Sequence, residues 1–593
     1  MISTRARRPG EAARRTSAAR AKVGFYVVVA FAAYIAWRFF VVQIRDGPAL
    51  AQRAYEQHLT TVELAAHRGT IYDRDGNALV RSLPSQSIYV TTSDVDDPEA
   101  TAKALAPVLG RRAADLEALL TSKSAYVQLD HKVQRDRADA VAKLGLPGIS
   151  IVPETTGIRF VPSGRLASTV LGFTGFDENG LDGVEYEFDS LLRGTPGRMD
   201  LEADQFGRVL PFAQPHVDIA AKAGHSLALT LDSYLQYNVE QILRKTVEEW
   251  HAKSATAIVM DPWTGGILAL ANMPDFDVRS YASFPADDLR DRAVSDAYEP
   301  GSTFKLITAT AALDSGKVTP EDRFPARDSL TIGGSTIHNA EDGFLASASP
   351  TENLGEIIAK SHNVGAAEVG LRVGAKTMAA TLQRFGFGTP TGVGLPGESP
   401  GIVTPLADWS ATSLPTIAFG QGIATTPLAM ARAYCAIANG GLLLRPRILA
   451  AILDPDGKTV YRYGRELERR VMSPHTAAIL RGYLREVVVR GTGDPTAQVA
   501  GYTTAGKTGT AQIAENGVYS GGYIASFIGY VPAEVPRYVI LIEVAQPQGA
   551  IYGSVVAAPA FAQISKLAMM HAGVLPEAAP RLVRKTATSK QRA

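Results

Sequence analysis

The first 44 residues combine a basic segment with a long apolar run. Residues 1–22 carry seven basic side chains against one acidic side chain, Glu11. The 22 residues from 23 to 44 are predominantly apolar. As a helix they extend about 33 Å, enough to cross a hydrocarbon core of about 30 Å. The sequence therefore predicts a membrane anchor, with 1–22 as a cytoplasmic basic tail and 23–44 as the transmembrane helix.

Arg38 is the one charged residue inside the apolar run. It lies near the end of the run between Trp37 and Phe39, where a long side chain can reach the headgroups and aromatic rings favour the interface. A buried helix of a soluble protein and a cleaved signal peptide are the alternatives. The run exceeds the usual signal-peptide core and no small-x-small site follows it, which favours an uncleaved anchor.

Length and composition limit what lies beyond the anchor. A chain of 593 residues, 46% hydrophobic, predicts at least two folded domains. A net charge of +1 gives no electrostatic support for a nucleic-acid partner. The single cysteine, Cys435, lies in an apolar helical run and is expected to be packing. Without an H-E-x-x-H motif or a second cysteine, we expect no metal site and no cofactor.

The pattern of apolar residues predicts an α+β protein with two extracytoplasmic domains. Residues 45–223 mix short β-like runs with helical ones, such as the helical stretch 99–120, and are expected to form an elongated α+β pedestal domain. Residues 224–574 begin and end with strands around a helical middle, which predicts one antiparallel sheet with helices packed on it. Residues 575–593 are expected to be a disordered basic tail.

Ser302 and Lys305 form an S-x-x-K motif after a Pro-Gly turn that predicts the start of a helix. Residues at i and i+3 share a helix face, so the amine can reach the hydroxyl. A serine hydroxyl needs a neighbouring base to become a strong nucleophile, and a desolvated lysine can serve as that base. By itself this short motif is weak, and an unrelated surface Ser and Lys would match it equally well.

Two further motifs strengthen the prediction. Ser361 and Asn363 form S-x-N, and Lys507, Thr508 and Gly509 form K-T-G, followed by Thr510. Each of the three motifs occurs once, in this order. A lysine next to two hydroxyl groups can bind a carboxylate, and Gly509 leaves room for an extended peptide along a strand.

The three motifs together resemble the serine penicillin-recognising fold of penicillin-binding proteins and β-lactamases. This resemblance implies a peptide substrate ending in D-Ala-D-Ala, with Ser302 as nucleophile and Lys305 as acylation base. Ser361 would relay a proton, Asn363 would bind the peptide and Lys305, and Lys507 would complete the catalytic group. Thr508, Gly509 and Thr510 would bind substrate, while the backbone N–H groups of Ser302 and Thr510 would form the oxyanion hole.

The resemblance extends over most of residues 38–570 and is to the class B, monofunctional penicillin-binding proteins. It is carried by WRFFVVQI, by RGTIYDRDGNALV and by the stretch from RFVPSGRLASTVLGF to LLRGTPG. Around the three motifs, DRAVSDAYEPGSTFK, FGQGIATTPLAMARAYCAIANGG and GTGDPTAQVAGYTTAGKTGTAQ are more similar to the division-specific, FtsI-like branch.

This branch implies a D,D-transpeptidase that cross-links stem peptides in septal cell-wall synthesis and is inhibited by β-lactams. The implied partners are a polytopic membrane glycosyltransferase of the division machinery and other division proteins. Alternatives are an elongation-type transpeptidase, a D,D-carboxypeptidase, which uses water as the acceptor, and a β-lactamase. A bifunctional enzyme is disfavoured because residues 45–223 do not resemble a lysozyme-like polymerising domain, and a non-enzymatic scaffold because all three motifs are retained.

Overall fold

The computed structural model describes residues 10–64, 66–154, 157–202, 216–340, 350–515 and 518–576. Almost all of the predicted C-terminal tail therefore lies outside the described residues. The chain forms two compact units, Met1–Ala65 with Thr195–Lys222, and Ala66–Gly194 with Ala223–Ala593.

The first unit contains the predicted apolar helix. A helix over Gly10–Phe40 continues into one π-helical segment, Val41–Arg45. Within it, the 28 residues Ala18–Arg45 are long and apolar enough to cross a membrane, and their large apolar side chains are almost all exposed. This exposure argues against the helix being the core of a soluble protein. A helix over Gly47–His58 and a three-stranded antiparallel sheet follow, with strands in the order Leu59–Leu64, Gly197–Glu202 and His216–Ile219.

The second unit begins with two sheets. One has six strands in the order Thr459–Arg462, Leu449–Leu453, Ser226–Leu229, Ile71–Tyr72, Ala78–Leu83 and Ile158–Phe160. The other has the order Tyr126–Gln134, Ser85–Thr91 and Ile149–Pro153, and packs its own apolar core against helices Pro98–Leu109, Ala113–Leu120 and Arg135–Lys143. The helical stretch predicted over 99–120 is thus two helices, because Gly110 ends the first in the left-handed conformation with φ +66°.

A five-stranded sheet forms the centre of the second unit and confirms the predicted antiparallel arrangement. Its strands, all antiparallel, have the order Ile267–Met273, Ser254–Met260, Tyr538–Ala545, Val518–Val531 and Ala505–Glu515. Alternate residues of a strand point to opposite faces, so each face has its own core. One face packs against helices Ser233–Trp250 and Ala558–His571, and the other against a helical layer that includes Lys305–Asp314 and Pro427–Ala438. Cys435 is buried in that layer, as expected for packing.

The remaining elements surround this sheet. The short helices before and within the helical layer are Thr92–Asp94, Ser168–Leu171, Gly183–Glu187, Asp189–Leu192, Val278–Ser283, Ala286–Leu289, Arg292–Ser295, Gly301–Phe304, Leu406–Asp408, Ser413–Ile417 and Gly553–Val556. The longer ones are Leu354–Lys360, Asn363–Val373, Ala375–Phe385 and Pro474–Arg490. Three two-stranded sheets pair Arg323–Pro325 with Thr351–Asn353, Ser329–Ile332 with Ser335–His338, and Leu442–Leu444 with Leu467–Arg470.

Candidate active site

Ser302 lies in a tight turn at the start of a helix, as the Pro-Gly pair predicts. The 3-10 turn Gly301–Phe304 leads directly into Lys305–Asp314, and Gly301 has φ +53°, a conformation that favours glycine. The buried Tyr434 hydroxyl donates a hydrogen bond of 2.8 Å to the carbonyl oxygen of the residue after Ser302. This hydrogen bond ties the turn to helix Pro427–Ala438.

The amine of Lys305 is the centre of the site. Its Nζ lies within hydrogen-bonding distance of Ser302 Oγ at 3.0 Å, Asn363 Oδ1 at 2.8 Å and Ser361 Oγ at 3.2 Å, and it also contacts the backbone oxygen of Ser361. The Lys305 residue is only 1% exposed, whereas Ser302 is half-buried. The S-x-x-K and S-x-N motifs thus meet at one amine.

Ser361 connects the two lysines. Lys507 Nζ donates a hydrogen bond of 2.9 Å to Ser361 Oγ, the same hydroxyl that Lys305 contacts. Ser361 occupies the two-residue break between helices Leu354–Lys360 and Asn363–Val373 and has φ +65°. A non-glycine residue in this region carries backbone strain, which is common at functional sites. Residues 302, 305, 361, 363 and 507 therefore converge in one cleft.

Burial lowers the pKa of both lysines. It lowers the pKa of Lys305 well below its ordinary value, and the nearby positive charge of Lys507 lowers it further, while Glu352 acts in the opposite direction. Burial also lowers the pKa of Lys507, to about 7. A lowered pKa favours the neutral amine, the form of lysine that can accept a proton from a hydroxyl group.

The K-T-G segment lies on Ala505–Glu515, the edge strand of the five-stranded sheet. The Thr508 and Thr492 hydroxyls are hydrogen-bonded at 2.7 Å, and Thr510 Oγ1 accepts a hydrogen bond from the Gly553 amide at 3.3 Å. Gly509 does not leave space for a ligand. A Cβ there would come within 2.3 Å of Ser526 Oγ and 3.0 Å of Thr303 Cγ2, so Gly509 instead allows the strand to approach the Ser302 turn.

Sequence reasoning missed the residues that hold the S-x-N segment in place. Asn339 Oδ1 accepts hydrogen bonds from the backbone N–H groups of Asn363 at 2.9 Å and Val364 at 3.1 Å. The buried His362 ring forms a hydrogen bond with the buried Glu352 carboxylate. No short motif marks Asn339 or Glu352, because their partners are distant in sequence.

Two glycine-rich segments match the sequence patterns of nucleotide-binding loops but not their structural context. Residues 501–508 fit G-x-x-x-x-G-K-T, and residues 392–397 fit G-x-G-x-x-G. Both patterns require a helix directly after the loop. The first segment instead enters the edge strand, and no helix follows the second before Leu406–Asp408. Across the described residues, no group of three or more His, Cys, Asp or Glu residues could hold a metal ion.

A row of polar residues crosses the face of the sheet that meets the Ser302 helix. Asn272, Thr256, Glu543, Ser526 and Gly509 are direct neighbours on the five adjacent strands, so they share one face. Thr256 donates a hydrogen bond of 3.0 Å to Asn272. Burial raises the pKa of Glu543 to about 8. The folded protein therefore favours a neutral carboxyl group at this position.

Glu543→Gln is expected to make stability less sensitive to alkaline pH. The pKa of Glu543 is raised from 4.5 to about 8. The stabilisation that this protonated side chain gives the folded state is therefore fully present below about pH 4.5 and is lost as the pH rises through about 8. Glutamine removes this loss, which reaches on the order of 5 kcal/mol. Urea unfolding at a series of pH values measures the effect, with Glu249→Gln, an exposed position, as the control. Equal pH dependence in both variants would contradict it.

Comparison with known proteins identifies both halves of the chain. Residues 255–566 match the penicillin-binding protein transpeptidase domain, and residues 63–229 match the penicillin-binding protein dimerisation domain. The chain is 33% identical over 547 residues to stage V sporulation protein D of Bacillus subtilis, covering 91% of this chain and 83% of the relative. It is 32% identical over 558 residues to peptidoglycan D,D-transpeptidase FtsI of Escherichia coli, covering 92% and 90%.

Solved structures of penicillin-binding proteins are similar to this chain over most of its length. Penicillin-binding protein 3 of Mycobacterium tuberculosis, complexed with aztreonam, has a TM-score of 0.67 at 30% identity and covers 88% of this chain and 99% of that one. Penicillin-binding protein 2X of Streptococcus thermophilus has a TM-score of 0.75 at 27% identity, covering 87% and 81%. The chain therefore belongs to the class B penicillin-binding proteins and is a peptidoglycan D,D-transpeptidase of that family.

Proposed function

We propose that Ser302 is the nucleophile of this transpeptidase. Its hydroxyl attacks the penultimate carbonyl of a stem peptide ending in D-Ala-D-Ala, forming an acyl-enzyme and releasing D-Ala. Lys305 accepts the hydroxyl proton, which returns to the leaving amine through Ser361. The observation that carries this proposal is the continuous hydrogen-bonded chain from Ser302 through Lys305 and Ser361 to Lys507.

Substrate binding follows from the same cleft. Lys507, with the Thr508 and Thr510 hydroxyls, binds the terminal carboxylate, and Asn363 binds the peptide backbone. The N–H groups of Ser302 and Thr510 stabilise the oxyanion. The edge position of the K-T-G strand supports addition of the peptide as a further strand, with Gly509 supplying only backbone contacts.

A second substrate completes the reaction. The amine of a neighbouring stem peptide attacks the acyl carbon, an amide forms, and Ser302 regains its proton. Attack by water instead would give a D,D-carboxypeptidase. A β-lactam acylates the same serine, which accounts for inhibition.

Labelling with a fluorescent penicillin followed by peptide mapping tests the nucleophile. We expect the label on the peptide that contains Ser302, because this is the hydroxyl within 3.0 Å of the buried amine. A stable adduct on another residue would contradict the proposal, and rapid release of the label would favour a β-lactamase.

We further propose a septal role, with an elongation-type role as the second candidate. Similarity to the FtsI-like branch around the three motifs supports it, as does the FtsI relative. Depletion in the source organism should give long cells that grow but do not divide, observed by microscopy. Rounded cells of normal length would instead indicate the elongation role.

The septal role implies a membrane arrangement and partners. We propose that residues 1–22 are cytoplasmic, 23–44 span the membrane, and the pedestal 45–223 and catalytic domain 224–574 are extracytoplasmic, followed by the tail 575–593. The basic flank supports this orientation. Protease treatment of intact spheroplasts, which should digest the catalytic domain, tests the orientation.

The proposed partners are a polytopic glycosyltransferase, contacted through the anchor and pedestal, and other division proteins.

A further inference from the structure

Glu299 is a half-buried carboxylate three residues before Ser302. Its Oε1 accepts a hydrogen bond of 2.8 Å from the Gly422 amide, and its Oε2 accepts one of 3.2 Å from the Tyr519 hydroxyl. Gly422 belongs to the loop after helix Ser413–Ile417, and Tyr519 to strand Val518–Val531. The carboxylate thus joins three separate segments at the edge of the cleft. We call this group, Glu299 with its hydrogen bonds to Gly422 and Tyr519, the clasp.

Tyr519, which donates to Glu299, lies further along the strand pair than Lys507 does. The neighbouring Gly301 faces Thr510, since a Cβ on Gly301 would lie 3.2 Å from the Thr510 backbone oxygen. Tyr519 pairs with Ala514, seven residues beyond Lys507, or roughly 23 Å along an extended strand. The Tyr519 partner of Glu299 and the Lys507 residue therefore belong to different parts of this strand pair.

The carboxylate of Glu299 has no cationic partner among the residues that the structure describes. Burial raises its pKa, and only the Gly422 amide and the Tyr519 hydroxyl act in the opposite direction. A partly desolvated carboxylate without a counterion is costly, and such groups are common where a charged ligand binds. The enzyme's first substrate brings a carboxylate, which suits Lys507. Its second substrate brings an amine, which is cationic at neutral pH.

We propose that Glu299 recognises the ammonium group of the acceptor stem peptide. This inference rests on the proposed function of Ser302 and deepens it. The acceptor binds Glu299 as an ammonium ion, loses one proton to solvent and attacks the acyl carbon as a neutral amine. The ester bond to Ser302 breaks, and the second amine proton passes through Lys305 to Ser302 Oγ. Glu299 then sets the preference for a cationic acceptor over an uncharged one.

The substitution Glu299→Gln removes the negative charge and keeps the size and shape of the side chain. The amide oxygen can still accept from Gly422, and the amide nitrogen can donate to the Tyr519 oxygen, so the clasp remains while the charge is lost. The full chain in detergent is acylated with a D-alanyl thioester, and products are measured with D-alanine or hydroxylamine as acceptor. Hydroxylamine is the uncharged control at neutral pH. We expect the ratio of D-alanine product to hydroxamate to fall about tenfold or more.

Tyr519→Phe is the matched variant, because it removes one hydrogen bond of the clasp and keeps the carboxylate. We expect it to retain the wild-type ratio. An unchanged ratio in Glu299→Gln, or an equal fall in Tyr519→Phe, would overturn the inference. Penicillin labelling of Ser302 in the wild type is measured in the same preparation. Its absence would overturn the proposed function as well, whereas labelled Ser302 with an unchanged ratio would overturn the acceptor role alone.

Discussion

Ser302→Ala is expected to abolish covalent labelling by penicillin. Among the described residues, Lys305 Nζ contacts the hydroxyl groups of Ser302, at 3.0 Å, and Ser361, at 3.2 Å, and the Ser361 hydroxyl is shared with Lys507. Loss of a nucleophile that acts as part of a unit typically costs 10⁴-fold or more, so we expect the second-order acylation rate constant to fall by at least about 10⁴-fold. Stopped-flow fluorescence with a labelled penicillin measures it.

The control for this variant is Ser315→Ala. Ser315 lies at the other end of the same helix, and its hydroxyl donates only to the backbone oxygen of Ala312, at 3.2 Å. Both substitutions remove one hydroxyl from one helix, so Ser315→Ala reports any effect on folding. Labelling that survives Ser302→Ala, in a protein with an unchanged thermal midpoint, would remove Ser302 from its proposed role.

Lys305→Gln is expected to lower the acylation rate constant by about 10³-fold, within the range for loss of a general base. Glutamine keeps hydrogen-bonding groups near Ser302 and Asn363 but cannot take up the hydroxyl proton. Because burial and the charge of Lys507 lower the pKa of Lys305, its amine stays neutral to a lower pH than an ordinary lysine and becomes protonated as the pH falls. Wild-type acylation should therefore decline towards acid pH, and this decline should be absent in Lys305→Gln.

Lys317→Gln is the matched control for the lysine. Lys317 follows the same helix and contacts Thr377 Oγ1 at 2.9 Å, outside the cleft. We expect its rate constant and pH profile to match those of the wild type. A Lys305→Gln protein that reacts within tenfold of the wild type, or that keeps the acid decline, would assign the base to another group.

Several elements could be predicted from local sequence. The apolar run between 23 and 44 predicted the N-terminal helix, and short, mostly apolar runs predicted the strands Ser254–Met260 and Tyr538–Ala545 of the antiparallel sheet. Local sequence did not predict every helix boundary. The pattern over 99–120 did not show that Gly110 would end one helix, because a single glycine inside a helical pattern does not specify its own φ.

The sequence by itself predicted the N-terminal apolar helix, the α+β class and the residue types of the site, because hydrophobic periodicity and short motifs are properties of neighbouring residues. Only the tertiary structure decided which of these residues meet. The bond from Lys507 to Ser361 joins residues 146 positions apart, and Glu299 meets Tyr519 across 220 positions. Such contacts depend on how the sheet and the helical layer pack, as does the position of Gly509 against Thr303. A linear pattern carries no information about that packing until the chain has folded.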